Sequence, residues 1–261
     1  AIAALNNRKN INLFVLHPHN KISKVQKKIM TTIGGSNVYN IAVEGSFDDC
    51  QKIVKELFNE DNFRSKINMS GVNSINWARI VCQIVYYFYS YFKLKKDNIS
   101  FSVPTGNFGD IYAGYVAKKM GLPINKLIVA TNENDILQRT INKGEYKPDK
   151  VKPSISPSMD IQVASNFERL LFYVVGQDDK KVSLLMDNLN KKGFFKLDQN
   201  EIQEIKKDFE AVKIDDETTR LIIKNINDEF KFIIDPHTAT GFGAAKKVRG
   251  LENIIVLGTA H

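Results

Sequence analysis

The chain has 261 residues, of which 43% are hydrophobic and 25% charged, the balance of a soluble globular protein with one large or two modest domains. Lys and Arg outnumber Asp and Glu by 37 to 29, giving a net charge of +8, but the charges are scattered rather than gathered into a block. With no arginine-rich arm, no zinc-ligand spacing and no basic stripe interleaved with aromatics, that excess suits anionic small molecules at least as well as nucleic acid, and no nucleic-acid partner is expected.

The first residues, "AIAALNN", lack an initiator Met and open as if inside a helix, so a truncated chain is expected. "INLFVLHP" (11–18) is a short apolar run ended by His-Pro, which predicts a buried strand. "KISKVQKKIMTTIGG" repeats apolar residues at helical spacing and stops at Gly34 and Gly35. "VYNIAVEG" predicts a second strand. "SFDDCQKIVKELFNED" predicts a helix with Ser46 as N-cap, Asp48 and Asp49 in the first turn, and an apolar face of Cys50, Ile53, Val54, Leu57 and Phe58.

A long amphipathic helix is expected over 75–94, with Asn73 and Ser74 as its caps. Its run "IVCQIVYYFYSYF" is interrupted by Gln83 and Ser90 and falls short of the ~20 residues of a membrane span, so no membrane partner is expected. Cys50 and Cys82, the two cysteines, both lie in apolar helical patterns and read as buried thiols of a reducing, cytoplasmic compartment. Strand "NISFSVP", the loop "TGNFGD", helix "DIYAGYVAKKMG" and strand "KLIVATN" follow. This alternation predicts an α/β fold with parallel sheets flanked by helices. "NKGEYKPDKVKPSISPSMD" has three prolines and no hydrophobic period, so a surface loop is expected. Helices over 181–192, 200–212 and 217–227 and strands "FKFIID" and "NIIVLGT" complete the pattern.

The motif "TGNFGD" is neither a dinucleotide fingerprint nor a P-loop. It offers the Thr105 hydroxyl and the backbone N–H groups of Gly106, Asn107, Phe108 and Gly109 at a helix N-terminus, where unpaired donors and the positive dipole end attract an anion. A phosphate cradle and a plain glycine-closed turn both fit. Arg79 is either a solvated charge or, turned inward, a planar fork for an anion. Thr259 in "GTAH" is either a turn threonine or a hydroxyl at the carboxyl edge of the sheet, where open α/β folds bind ligands. In "DPHTATGFGAA", Thr238 or Thr240 is a candidate helix cap. His17, His19 and His237 share no spacing that suggests a metal site.

Taken together, "SVPTGNFGDIYAGYVAKKMGLPINKLIVATNEND", "HPHNKISKVQKKIMTTIGG", "NSINWARIVCQIVYYF", "SPSMDIQVASNFERLLFY", "DPHTATGFGAA" and "IVLGTAH" resemble blocks of the threonine synthase family in its longer bacterial and fungal form. The resemblance implies a tryptophan-synthase-β-like fold, pyridoxal-phosphate fold type II, with a smaller α/β domain over 1–70 and a larger cofactor-binding domain over 71–261. It implies a pyridoxal 5'-phosphate enzyme, monomer or homodimer, that converts O-phosphohomoserine and water to threonine and phosphate. Thr105, Gly106, Asn107, Phe108 and Gly109 would hold the cofactor's phosphate and Thr259 would face its pyridine nitrogen. Asn73 and Arg79, with Ser74, would grip the substrate's phosphate. The family's Schiff-base lysine and its serine/threonine-glycine substrate loop are expected upstream of Ala1, so no catalytic residue is assigned within this chain. A phospholyase of the same fold, yielding a ketoacid, and a non-catalytic binder of a phosphorylated metabolite are the alternatives.

Overall fold

In the computed structural model, which describes residues 2–20, 22, 24–72 and 75–258, the chain divides into two compact units, Ala1–Asn73 and Ser74–His261. The first contains α1 (Ile2–Leu5), β1 (Leu13–Pro18), α2 (Lys24–Thr32), β2 (Val38–Val43), α3 (Phe47–Asn59) and α4 (Asp61–Ile67). β1 and β2 pair in parallel from Leu13↔Val38 to Pro18↔Val43, with α2 as the crossover that a parallel pair requires. Ser46 caps α3 as its sequence predicts: its Oγ accepts from the Asp49 N–H at 3.3 Å, and the Asp49 carboxylate accepts from the Ser46 N–H at 2.6 Å. Asn37 fixes the segment before β1, donating from Nδ2 to the carbonyls of Leu5 and Ile11 and accepting the Asn7 N–H.

The second unit runs α5 (Trp77–Leu94), β3 (Ser100–Pro104), α6 (Gly109–Lys119), β4 (Leu127–Thr131), α7 (Ile136–Lys143), β5 (Glu145–Tyr146), a 3-10 turn (Pro157–Met159), α8 (Phe167–Val174), α9 (Asp179–Lys192), β6 (Phe195–Lys196), α10 (Gln199–Asp208), β7 (Phe209–Lys213), α11 (Asp216–Phe230), α12 (Pro236–Lys247) and β8 (Ile254–Val256). Its main sheet is all parallel in the order β7-β4-β3-β8. β3 and β4 are buried at every residue, the signature of central strands covered on both faces. Phe101, Val103, Leu127 and Val129 join the core built by α5 and α6, while Ile128 and Ala130 face Ile214 and Ala244 on the opposite side. There the Ser102 hydroxyl donates to the Gly241 carbonyl of α12 at 2.7 Å. Close approach needs small residues: a Cβ on Gly114 would lie 2.5 Å from the Tyr87 ring, and one on Gly241 2.9 Å from Val256.

Several sequence expectations give way to tertiary structure. α5 begins at Trp77 and Asn76 supplies its cap by accepting the Ala78 N–H at 2.9 Å, while the expected caps Asn73 and Ser74 lie outside the described residues. The helix expected over 200–212 stops at Asp208, because residues 209–213 pair with β4 as β7. "FKFIID" forms no strand: α11 runs to Phe230, and Phe232 and Ile233 lie exposed in the connection. Asp235, not Thr238 or Thr240, caps α12. The proline-rich segment is only partly a surface loop, since Ser156 and Met159 are buried. Cys50 is buried as expected but Cys82 is exposed, because it lies outside the Ile80, Ile84 and Tyr87 face of α5. Among the described residues no helix is long and apolar enough to cross a membrane.

Candidate functional site

The parallel sheet sends the carboxyl ends of β3 and β4 to one edge, where the chain leaves β3 at Pro104, turns through 105–108 and enters α6 at Gly109. Thr105 closes the strand with both of its protons: its N–H donates to the Ala130 carbonyl at 2.8 Å and its hydroxyl to the Val103 carbonyl at 2.6 Å. The next four N–H groups, those of Gly106, Asn107, Phe108 and Gly109, have no acceptor among the described residues. Free donors at the start of an 11-residue helix, with the positive end of the helix dipole behind them, are the kind of group that attracts a small anion.

Phe108 explains the bend. It takes the left-handed conformation at φ 63°, ψ 10°, which costs a non-glycine residue roughly 1–2 kcal/mol. Its ring is 1% exposed and packs edge-on to Phe167 at 5.2 Å and against Phe209 at 5.7 Å. Full burial of such a side chain contributes about 1.5–3 kcal/mol, enough to hold the strained backbone. The side chain is therefore an anchor, and only the backbone of Phe108 is left to offer a polar group at the loop.

A strap formed by residues 154–160 lies against the loop. A Cβ on Gly106 would stand 2.8 Å from the Ser158 carbonyl oxygen and 3.2 Å from the Met159 Cα, so glycine is required by the nearness of backbone. The Ser158 N–H donates to His237 Nε2 at 3.2 Å, which leaves the ring proton on Nδ1, 3.1 Å from Asp235 Oδ1. Buried Asn132, just past β4, holds the strap's root by donating from Nδ2 to Ser154 Oγ and Asp160 Oδ1, each at 2.8 Å. Asn134 Nδ2 adds a contact to Asp160 Oδ1 at 3.0 Å.

Asp110 follows the free donors in sequence. Burial pushes its carboxyl up to about 6, against the lowering effect of the Tyr87 hydroxyl, which lies 3.2 Å from the carboxylate and donates at 2.8 Å to the Asp110 carbonyl. Burial and the Asp110 charge in turn raise the Tyr87 phenol well above its usual value. A carboxyl that stays protonated at mildly acidic pH is less repulsive to an anion arriving at the same helix end.

Arg79 is the third residue of α5; its side chain is exposed and has no partner among the described residues. Asn73, Ser74 and Thr259 lie outside the described residues. Residues 105–109 lie in the turn between β3 and α6, and the roles of the residues that shape this turn are not legible in the sequence. Ser158, His237, Asn132 and Asp110 act through folded contacts; the "SPSMD" and "DPHTAT" blocks signalled their segments, but not their roles.

Comparison with known proteins adds to this geometry. A family model described as pyridoxal-phosphate dependent enzyme matches residues 1–259. A threonine synthase of Pseudomonas aeruginosa is 47% identical over 256 residues, covering 97% of this chain and 55% of that protein. The X-ray structure of a PLP-bound threonine synthase from Brucella melitensis superimposes with a TM-score of 0.90 at 46% identity, covering 100% of this chain and 57% of that one. Maize serine racemase, at 14% identity and a TM-score of 0.63 over 94% of this chain and 64% of that one, shares the fold. The chain spans about 55% of the length of the curated relatives it matches.

Proposed function

The chain belongs to the pyridoxal-phosphate dependent enzyme family, and from that premise we propose that it carries the cofactor-binding part of a threonine synthase, which converts O-phosphohomoserine and water to threonine and phosphate. The observation that carries this proposal is the row of N–H groups from Gly106 to Gly109 at the head of α6, which have no acceptor among the described residues.

These residues fit the cofactor's phosphate. The donors are backbone groups that need no charged side chain, Gly106 lets the strap approach, and Phe108 fixes the bend from inside the core. Pyridoxal phosphate, when bound, supplies the electron sink that lets an amino-acid substrate lose a proton and a leaving group. Thr259 would set a hydroxyl against the pyridine nitrogen; a neutral hydroxyl does not enforce protonation there as a carboxylate would. Arg79, with Asn73 and Ser74, would bind the phosphate of the substrate, the guanidinium through two parallel hydrogen bonds. Cofactor and substrate would then be held by separate anion sites, one made of helix-end N–H groups and one centred on an arginine. No lysine of this chain is assigned the covalent role.

The test is product analysis of the protein that carries this chain, supplied with pyridoxal phosphate and O-phosphohomoserine. Threonine and inorganic phosphate in equal amounts are expected, with Arg79→Ala raising KM for the substrate more than it weakens cofactor binding. Phosphate released with a ketoacid in place of threonine would overturn the assignment in favour of a phospholyase. Equal losses in KM and cofactor affinity would remove Arg79 from the substrate site.

A further inference from the structure

The peptide between Asn107 and Phe108 is held with more care than a turn needs. The Asn107 carbonyl accepts two hydrogen bonds from one residue, the Asn166 backbone N–H at 3.1 Å and the Asn166 Nδ2 at 3.1 Å. The Ser165 hydroxyl lies 3.2 Å from the side-chain Oδ1 of Asn107. Asn166 is completely buried, and the other end of its amide is committed too: Oδ1 accepts from Arg169 Nε at 3.1 Å. With a carbonyl at its donor end and a guanidinium at its acceptor end, the amide cannot flip without creating two like-polarity contacts. Arg169 is itself fixed. Its Nη2 donates to the Ile75 carbonyl at 2.9 Å and its guanidinium lies 5.6 Å from the Trp77 ring, at the start of the helix that carries Arg79.

In a planar trans peptide the C=O and N–H point in opposite directions. Two donors on the Asn107 carbonyl therefore also set the direction of the Phe108 N–H, one of the four free donors of the cradle. Resting on the cofactor assignment above, we propose that Asn166 and Arg169 are positioning residues for the cofactor's phosphate: Asn166 aims the Phe108 N–H, and Arg169 locks Asn166 while tying the loop to the turn before α5. Neither residue touches the ligand in this account. Both act through the orientation of one peptide.

The experiment measures dissociation constants for pyridoxal phosphate and for pyridoxal, which lacks the phosphate, in the protein that carries this chain and in its Asn166→Ala and Arg169→Lys variants. The amide resonance of Phe108 is followed in the same titrations. Asn166→Ala should weaken pyridoxal phosphate by about 10-fold or more, the scale of one misaligned hydrogen bond to a charged group, and leave pyridoxal unchanged. Arg169→Lys keeps the charge but loses the planar fork, and should produce a smaller loss of the same kind with a displaced Phe108 amide resonance. It keeps the test alive if the buried asparagine cannot be replaced without unfolding. Equal losses for the two ligands, or no loss for either in a folded variant, would overturn the proposal. If the unmodified protein binds pyridoxal as tightly as pyridoxal phosphate, the assignment of the cradle itself fails, a distinct outcome.

Discussion

Replacing Asp110 by asparagine should stabilise the protein at neutral pH and leave it unchanged in acid. The carboxyl titrates at 3.8 when free in water and at about 6 in the fold, because burial disfavours its charged form. Below about pH 4 the group is protonated in both folded and unfolded chains, so aspartic acid and asparagine are near equals. Between about pH 4 and about pH 6 the unfolded chain releases the proton while the folded chain retains it, so stability falls as pH rises. Above about pH 6 the folded chain carries a buried charge and the deficit is constant. At about 1.4 kcal/mol per pKa unit the deficit reaches at most about 3 kcal/mol. In the Asp110→Asn variant the side-chain carbonyl can still accept from the Tyr87 hydroxyl, so the substitution removes the charge and keeps the contact. Urea unfolding of both proteins, followed by circular dichroism from about pH 4 to about pH 8, reads the gap directly. A gap that opens across that window and then levels off is expected; a pH-independent gap, or a variant less stable at neutral pH, would show that the Asp110 charge is not what costs stability.

Three further substitutions, with Gly34→Ala as a control, probe the site's supports. Gly106→Ala forces a Cβ against the backbone of Ser158 and Met159 and should cost roughly 1–3 kcal/mol with weaker binding of pyridoxal phosphate, whereas Gly34→Ala, which meets nothing within 4 Å, should change thermal stability little. Asp235→Ala removes the cap of α12 and the Nδ1 partner of His237, and should lower stability by about 1–2 kcal/mol in chemical denaturation. Asn132→Ala strips donors from Ser154 and Asp160, costing about 2 kcal/mol, and should speed limited proteolysis within residues 147–156.

Much of the fold was legible because it is written in local periodicity. The buried runs of β3 and β4, the Ser46 capping box and the glycine loop before α6 each follow from neighbouring residues alone. The failures share a cause. Residues 209–213 extend a helical spacing that begins in α10, and only the pairing of Phe209 with Leu127, far away in sequence, makes them a strand. "FKFIID" alternates like a strand but pairs with none of the described strands. At the site, the loop's free N–H groups could be anticipated from glycine content, yet Asn166, Arg169 and His237 gain their meaning from contacts across tens of residues. The left-handed Phe108 could not be foreseen, since it is the packing of its ring on Phe167 and Phe209 that holds the strained backbone.

Whether the N–H groups of Gly106, Asn107, Phe108 and Gly109 hold a phosphate is read by backbone-resolved amide NMR during titration with pyridoxal phosphate. These four resonances should move together on addition of pyridoxal phosphate and scarcely move with pyridoxal. Binding of pyridoxal phosphate that leaves all four unmoved, with shifts confined to other segments, would contradict that role.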